Sequence, residues 1–583
     1  MPINTMQNLI ILTVLLLIFS AIVIVYFFEI STGFVFFTLS ILFLLTGLIE
    51  TKEFLSSFFD ETLMTIVTLI FISRGLEYNR LTEVFRNLLL NGSKRYILFK
   101  LNVFSLIYSM FVNNAAVVST MIGILRGRYQ YQRPFLMSIS FASILGGMLT
   151  LVGTSTNLIV NNLKMKSGFP TWNLFDFFMI GITPAIVGLI YLAKAPLRLF
   201  GDEDTKTKEG SSIFEARVSP DSKLIGKSIE ENGLRNLKKI FLGEVVRENG
   251  ELVSPASPTH IIQKNDRLVF VGDKEDIQSA EILKDLIVLD SDSSYLLKNV
   301  NEVIVSDESD LIGHTPKNAQ FRSRFNAVII SIRRGDKVFF KNIGEETIHS
   351  GDQLRLVIGD DFKKSHANDL SFVHLEKKAE TNGMISSLLF LVFFICILFL
   401  NLFGLLSLFK GTLIVLVFAI LTKIISVNSL RTEIPYNLIM TVGSAFVISV
   451  VLKNLKAPEL VLSFILPYLL QMPVFISLFL FFLFVIFLTE FVSNAVAAGI
   501  AFPFALSLAN GLSTATEPFF LVTAFGASAS FLTPFGYHTN MMVFSVGQYK
   551  PSDFLKLGLP LTIAYIIFVY VSILYKFDLY VSL

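Results

Sequence analysis

Two short clusters of neutral polar residues interrupt otherwise apolar stretches: Phe111-Val112-Asn113-Asn114-Ala115 and Phe491-Val492-Ser493-Asn494-Ala495. Each is followed by a segment dense in small and helix-breaking residues. The first is Gly146-Gly147-Met148-Leu149-Thr150-Leu151-Val152-Gly153-Thr154-Ser155-Thr156-Asn157, and the second runs from Gly526 through Ser528, Ser530, Thr533-Pro534-Phe535-Gly536-Tyr537-His538-Thr539-Asn540. Helix does not pass cleanly through such runs, and unpaired backbone at membrane depth persists only where it lines a cavity or ligates something. Broken helix N-termini offer free N–H groups and a positive dipole end to an anion. Exposed carbonyls with Asn, Ser and Thr oxygens suit a hard cation such as Na⁺. Neither cluster contains Lys or Arg, so an anion bound there must be balanced by dipoles and co-bound cations, which is the logic of symport. Proton coupling needs a titratable group at depth, and the candidates are Glu490, His538, Glu517 and Asp176. Glu490, four residues before Asn494, reads first as a structural hydrogen-bonding acid and second as a proton carrier. His538 divides evenly between an oxyanion donor and the partner of a carbonyl.

The elements that must position these residues are membrane helices. Of 583 residues, 53% are apolar and 16% charged, against about 25% charged in soluble chains. The charges are concentrated: residues 201–382 hold 26 Lys+Arg and 32 Asp+Glu, leaving 22 and 14 for the rest. A net charge of +2 therefore conceals an acidic insert and basic flanks, which argues for a soluble middle splitting a membrane protein and against a nucleic-acid binder. The lone Cys396 excludes a disulfide framework or Cys-based metal site. The five His of the insert (His260, His314, His349, His366, His374) lack ligand spacing. The apolar first 27 residues carry no Lys or Arg and no convincing cleavage site, so they read as a retained span.

A span needs about 20 apolar residues. Such runs lie near 7–28, 32–49, 60–79, 134–163, 174–200, 383–403, 411–428, 434–453, 517–548 and 556–580, with two interrupted stretches at about 98–126 and 473–508. Arg80, Arg86, Lys94, Arg95 and Lys100 precede the first interrupted stretch and Arg126, Arg128 and Arg133 follow it, so both its ends face the cytoplasm and it is a re-entrant hairpin. Each half then has about five spans plus one hairpin, and an odd count turns the second half upside down. A shift of 380 lays Ser109 on Thr489 and Val112-Asn113-Asn114-Ala115 on Val492-Ser493-Asn494-Ala495; a shift of 383 lays Thr150, Gly153, Thr156 and Asn157 on Thr533, Gly536, Thr539 and Asn540. Inverted repeats of this kind place binding at the bilayer midplane.

The insert carries its own duplication. Val218-Ser219-Pro220-Asp221-Ser222-Lys223-Leu224-Ile225-Gly226 recurs 87 positions on as Val305-Ser306-Asp307-Glu308-Ser309-Asp310-Leu311-Ile312-Gly313, and Asp266 to Asp273 as Asp352 to Asp360. Alternating β-branched residues closed by Gly-Asp turns read as strands. The insert is similar to a tandem pair of TrkA-C (C-terminal regulator-of-K⁺-conductance) domains. It has no Gly-x-Gly-x-x-Gly, so no dinucleotide site is expected.

With these residues in view, nearly the whole chain resembles the divalent anion:sodium symporter family of citrate-transporter-like ion transporters. The marks are Val112-Asn113-Asn114, Thr489-Glu490, Ser493-Asn494-Ala495, Gly153-Thr154-Ser155-Thr156-Asn157 and Thr533-Pro534-Phe535-Gly536-Tyr537-His538-Thr539-Asn540. The resemblance implies one Na⁺ site from Ser109, Asn114 and Gly153 and a second from Thr489, Asn494 and Gly536. It implies an anion facing Asn113, Asn114, Thr154 and Ser155 on one side and Ser493, Asn494, Tyr537 and His538 on the other. It also implies elevator-type transport and a homodimer. Departures bear on the substrate: Asn113 replaces the Ser of dicarboxylate carriers, Ala115 and Ala495 replace Thr, and their Thr-Pro-Pro-Asn is absent. The Gly-Thr-Ser-Thr-Asn form and the insert resemble the branch associated with sulfate uptake.

The resulting expectation is an α-helical polytopic cell-membrane protein with two inverted repeats, 1–200 and 383–583. The unwound segments are 146–157 and 526–540, and two cytoplasmic α+β TrkA-C-like domains occupy 211–290 and 291–375. The expected function is Na⁺-coupled import of a small divalent oxyanion, read as sulfate, with two or more co-transported Na⁺. A dicarboxylate or bicarbonate carrier is the alternative, and an anion channel or solute-sensing receptor the second. Membrane lipid and the anion are the partners, without nucleic acid; the insert either senses a cytosolic small molecule or only dimerises. No enzyme is expected, because the clusters hold no nucleophile–base pair.

Overall fold

A computed structural model of the chain describes residues 5–28, 31–77, 89–125, 129–200, 212–234, 240–248, 252–253, 259–272, 286–289, 300–306, 309–335, 337–339, 343–358, 372–374, 384–427, 430 and 434–579. Arg80, Arg86, Arg126 and Arg128, on which the expected orientation of the first hairpin partly rests, lie outside these residues, as do Asp273, Asp307-Glu308, Asp360 and His366 of the insert. The chain divides into two compact units, one of Met1–Asp202 with Lys378–Leu583, the other of Glu203–Lys377.

The first unit is helical. Its first part contains α1 (Thr5–Phe28), α2 (Thr32–Leu45), α3 (Thr51–Phe58), α4 (Glu61–Glu77), α5 (Lys94–Ser109), α6 (Asn114–Leu125), α7 (Tyr129–Gly147), α8 (Ser155–Lys166), α9 (Phe178–Leu192) and α10 (Ala195–Phe200). Among the described residues six helical stretches are long and apolar enough to cross a membrane by length and composition, and further apolar helices are shorter. Both interrupted stretches are pairs of packed helices joined by four-residue turns: α5 and α6 meet at 110–113.

The second unit contains β1 (Ser212–Val218), β2 (Ile240–Val246), β3 (Leu252–Val253), β4 (Arg267–Gly272) and β5 (Leu286–Leu289), then β6 (Val300–Val305), α11 (Phe321–Phe325), β7 (Ala327–Arg334), β8 (Lys337–Phe339), β9 (Gln353–Ile358) and β10 (Phe372–His374). The strand orders β3-β2-β4-β1-β5 and β8-β7-β9-β6-β10 are the same topology twice. Even the irregularity recurs, between Leu242 and Glu244 in β2 and between Ile329 and Ser331 in β7. Each lobe encloses its own apolar core, with Val218, Leu268 and Phe270 in one and Val305, Leu354 and Leu356 in the other. Each ties its β-bulged strand end to a buried aspartate. Arg247 donates to Asp266 at 2.7 Å, and Arg334 donates through Nε and Nη2 to Asp352 at 2.8 Å each. Burial pushes the Asp352 carboxyl up from its ordinary range, against the pull of Arg334.

The helical unit resumes with α12 (Met384–Leu402), α13 (Leu408–Leu421), α14 (Tyr436–Asn454), α15 (Ala457–Leu469), α16 (Val474–Thr489), α17 (Asn494–Gly511), α18 (Glu517–Ala527), α19 (His538–Val546) and α20 (Pro551–Lys576). Helices α16 and α17 meet at 490–493 and form the second hairpin. Both hairpins pack on the helix that follows them: α5 and α6 on α7, α16 and α17 on α18.

Unwinding is narrower than the sequence implies. It covers 148–154 and 528–537, while Gly146-Gly147 and Gly526-Ala527 end helices, and Ser155–Asn157 and His538–Asn540 begin them. Packing explains the helical glycines. A β-carbon on Gly146 would stand 2.0 Å from the Leu106 carbonyl oxygen, and one on Gly526 would stand 2.9 Å from Val485. These glycines let α5 meet α7 and α16 meet α18 at close range. They do not break the helix.

Candidate functional site

At the first tip, Ser109, the fully buried last residue of α5, donates to Oδ1 of Asn114, the first residue of α6. The unwound segment lies against this pair. Thr150 donates to the Met110 carbonyl at 2.5 Å and accepts from the Gly153 N–H at 3.0 Å, and Asn157 Nδ2 donates to the Thr150 carbonyl at 2.9 Å. The Leu151 N–H is met by the Leu174 carbonyl at 2.9 Å. A β-carbon on Gly153 would fall 2.5 Å from the Gly147 carbonyl oxygen and 2.9 Å from that of Ser109, so the loop can approach the tip only with glycine there.

The second tip repeats these contacts with other groups. Thr489 donates toward Asn494 Oδ1 at 2.9 Å and the Ala527 carbonyl at 2.7 Å, and Ser530 donates to the same Asn494 oxygen at 3.1 Å. The Gly536 N–H donates to Thr533 Oγ1 at 3.0 Å, and Asn540 Nδ2 to the Thr533 and Ser530 carbonyls at 3.2 and 2.9 Å. Glu490 gathers four donors from the unwound segment: the N–H groups of Phe531, Leu532 and Thr533 at 3.0–3.1 Å and the Thr533 hydroxyl at 2.8 Å. That is the geometry of the structural acid, since its two oxygens are occupied by backbone a helix would otherwise have satisfied.

Five of the six residues expected at cation sites are brought together directly, Ser109–Asn114–Gly153 at one tip and Thr489–Asn494 at the other, while Gly536 lies beside Glu490, Thr533 and Ser530, the last of which donates to Asn494. Carbonyl, hydroxyl and amide oxygens at such density suit a hard cation.

The residues expected to face an anion are more open. Asn113, Ser155, Ser493 and Tyr537 are half-buried and His538 is exposed, whereas Asn114, Thr154 and Asn494 are buried. Thr154 and Tyr537 are the N-caps of α8 and α19, with nearly equal backbone angles of −136°, 142° and −150°, 142°. Helices α6, α8, α17 and α19 all begin at these residues, and each broken helix crosses to the other half: α8 packs on α17 and α18, α19 on α6 and α7. Asn114 Nδ2 donates to the Tyr537 hydroxyl at 2.8 Å, joining the halves directly. Asn113 spends its side-chain oxygen on the Ala115 N–H at 2.9 Å, while the Ser493 hydroxyl is buried without a partner among the described residues. No hydrogen bond among the described residues links the second tip to Asn113, Thr154 or Ser155.

Of the other titratable candidates, Glu517 accepts from the Trp172 indole and pairs with the buried Lys164 at 2.8 Å, and Asp176 accepts from the Asn173 N–H at 2.7 Å. Sequence reasoning missed Ser530 as a partner of Asn494, although it stands in the Ser-rich run that ends α18. It also missed the Thr150 and Thr533 hydroxyls as loop anchors, although their matched spacing was visible.

A profile of citrate transporters matches residues 14–526. The chain belongs to the citrate transporter family. This transporter is thus a multi-pass membrane protein, and some of its relatives match about nine-tenths of its length. It is 28% identical to a Chlamydomonas reinhardtii protein named as a sulfur deprivation response regulator, over 92% of this chain and 97% of that one. It is 25% identical to a transporter of Synechocystis sp., over 90% of each. Sodium/sulfate cotransporter 1 of Chlamydomonas reinhardtii is 22% identical over 60% of this chain and 42% of its own length.

Proposed function

We propose that this transporter is a sodium-coupled symporter importing a small divalent oxyanion, sulfate in first place. The observation that carries the reading is the doubled tip: a hydroxyl–amide pair, Ser109–Asn114 or Thr489–Asn494, pressed against an unwound loop in each half. Each tip would hold one Na⁺ with Gly153 or Gly536. The ions order the tips and supply the positive field that neutral donors lack. The anion would then sit among the N-terminal ends of α6, α8, α17 and α19, whose dipoles favour negative charge. The unpartnered Ser493 hydroxyl and half-buried Ser155 are donors suited to an oxyanion. Relatives named sodium/sulfate cotransporters support both the ion and the anion class.

On this reading the halves are inverted repeats, and the hairpins and broken helices move together against the remaining helices of a homodimer. The two-lobed insert is TrkA-C-like and lies in the cytoplasm. A second reading, a sensor of sulfate supply, is favoured by the response-regulator name of a relative matched over nearly its full length. Radiolabelled sulfate uptake into proteoliposomes separates the two. A symporter accumulates sulfate only down an inward Na⁺ gradient, with succinate and bicarbonate tested as competitors. Uptake indifferent to Na⁺ would overturn the coupling, and Na⁺-dependent sulfate binding without flux would favour the sensor.

A further inference from the structure

The two tip asparagines are not equally available. Asn494 Oδ1 takes the Thr489 and Ser530 hydroxyls, and its amide NH₂ donates to no group among the described residues. Asn114 Oδ1 takes Ser109, and its NH₂ is already engaged, donating to the Tyr537 hydroxyl at 2.8 Å across 423 positions of sequence. The Tyr537 ring is held at the N-cap of α19, half-buried and edge-on to the His538 ring at 5.9 Å. The Thr154 side chain interacts with the same hydroxyl from the N-cap of α8.

We propose that Tyr537 fixes the length of anion the site accepts: it replaces the Asn114 amide as the donor facing the anion and so restricts the site to compact, single-centre oxyanions. In the Asn114 contact the phenolic oxygen is the acceptor, so its own proton is directed away from Asn114, toward Thr154 or the anion. The first-half donor is thereby displaced from the Asn114 amide toward the second half by a full hydrogen-bond length. On this proposal the phenol ring occupies the space that the displacement spans. An anion bridging Tyr537 and the Asn494 amide, whose NH₂ meets no acceptor among the described residues, must therefore be short. A carbon chain with a carboxylate at each end needs both amide poles uncovered, and would have to expel a ring whose hydroxyl is tied to Asn114. Rejecting a longer anion by an occupied, hydrogen-bonded position discriminates more strongly than loss of a favourable contact would.

This inference rests on the oxyanion reading above, and the experiment separates the two. Sulfate uptake is measured in proteoliposomes with an inward Na⁺ gradient for the wild type, Tyr537→Phe and Tyr537→Ser, each alone and with excess succinate. Wild-type uptake is expected to be indifferent to succinate. Tyr537→Phe keeps the ring but loses the proton, so it still excludes succinate while its KM for sulfate rises about tenfold, the size of one lost hydrogen bond to a charged group, with unchanged half-saturation by Na⁺. Tyr537→Ser opens the space, and succinate becomes an inhibitor at a concentration at least about tenfold lower than in the wild type. If the wild type takes up no sulfate in response to Na⁺, the oxyanion reading fails and takes the inference with it. If the wild type does so but Tyr537→Ser discriminates as the wild type does, or Tyr537→Phe keeps the wild-type KM, the inference alone is overturned.

Discussion

The two halves of the helical unit solve one problem with different chemistry. In both, a Thr three residues before a Gly anchors the unwound loop to the residue just after the first hairpin helix. In the first half Thr150 donates to the backbone carbonyl of Met110; in the second Thr533 donates to the carboxylate of Glu490, at the position 380 residues on. The first loop passes its Leu151 N–H to a neighbouring segment at Leu174, whereas the second gives three successive N–H groups to Glu490. The first tip's asparagine amide donates to Tyr537, and the second tip's has no such acceptor among the described residues. The positions of the donors are thus common to both halves, while the acceptor groups are free to differ. A sequence repeat of this kind preserves geometry more faithfully than it preserves residue type.

The difference is sharpest at Glu490. Glu490→Ala leaves one buried and up to three part-buried donors without their acceptor, each costing up to about 1–3 kcal/mol. It is expected to destabilise the detergent-solubilised protein severely and abolish uptake, whereas Met110→Ala, whose acceptor is backbone, should cost little beyond side-chain packing. Thermal unfolding of both variants checks this; equal losses would show that the carboxylate is not what holds the second loop. Glu490→Gln keeps one acceptor oxygen and should fall between them.

A smaller contrast separates the two loop glycines. Gly153→Ala forces a β-carbon to within 2.5 Å of the Gly147 carbonyl oxygen, a backbone atom that cannot yield, and should eliminate uptake. Gly536→Ala meets side-chain oxygens of Glu490 and Thr533 at 3.1 and 3.2 Å, which can shift by tenths of an ångström, so uptake should persist with weakened Na⁺ dependence. Uptake and Na⁺ titration of the two variants read this directly, and matched behaviour would mean that the loops are equally tight.

Much of this arrangement was legible in the sequence because helix breakers inside apolar runs have few explanations. The tips at Asn113–Asn114 and Ser493–Asn494, and the recurring Thr-x-x-Gly-x-x-Thr-Asn, marked where the chain unwinds. The duplication of the insert was legible for a similar reason, since a Gly-Asp pair follows the same alternating β-branched run in the sequence of both lobes. The limits of unwinding were not legible: glycine serves close helix packing as readily as it breaks a helix, and only the approach of Leu106 to Gly146 distinguishes the two uses. The Tyr537–Asn114 bridge and the reach of Glu490 to residues 531–533 join positions hundreds or tens of residues apart, and no local pattern encodes them. The cap that Asn113 makes to Ala115 was within reach, because an Asn side chain bonding two residues on is a local habit of helix starts.

The central claim is that each tip holds its own co-transported cation, and the Na⁺ dependence of sulfate uptake in Asn114→Ala, Asn494→Ala and the wild type tests it most directly. The wild type should respond to Na⁺ cooperatively, and each variant should lose coupled uptake while remaining folded and monodisperse. Normal, cooperative Na⁺ dependence in either variant would contradict the account.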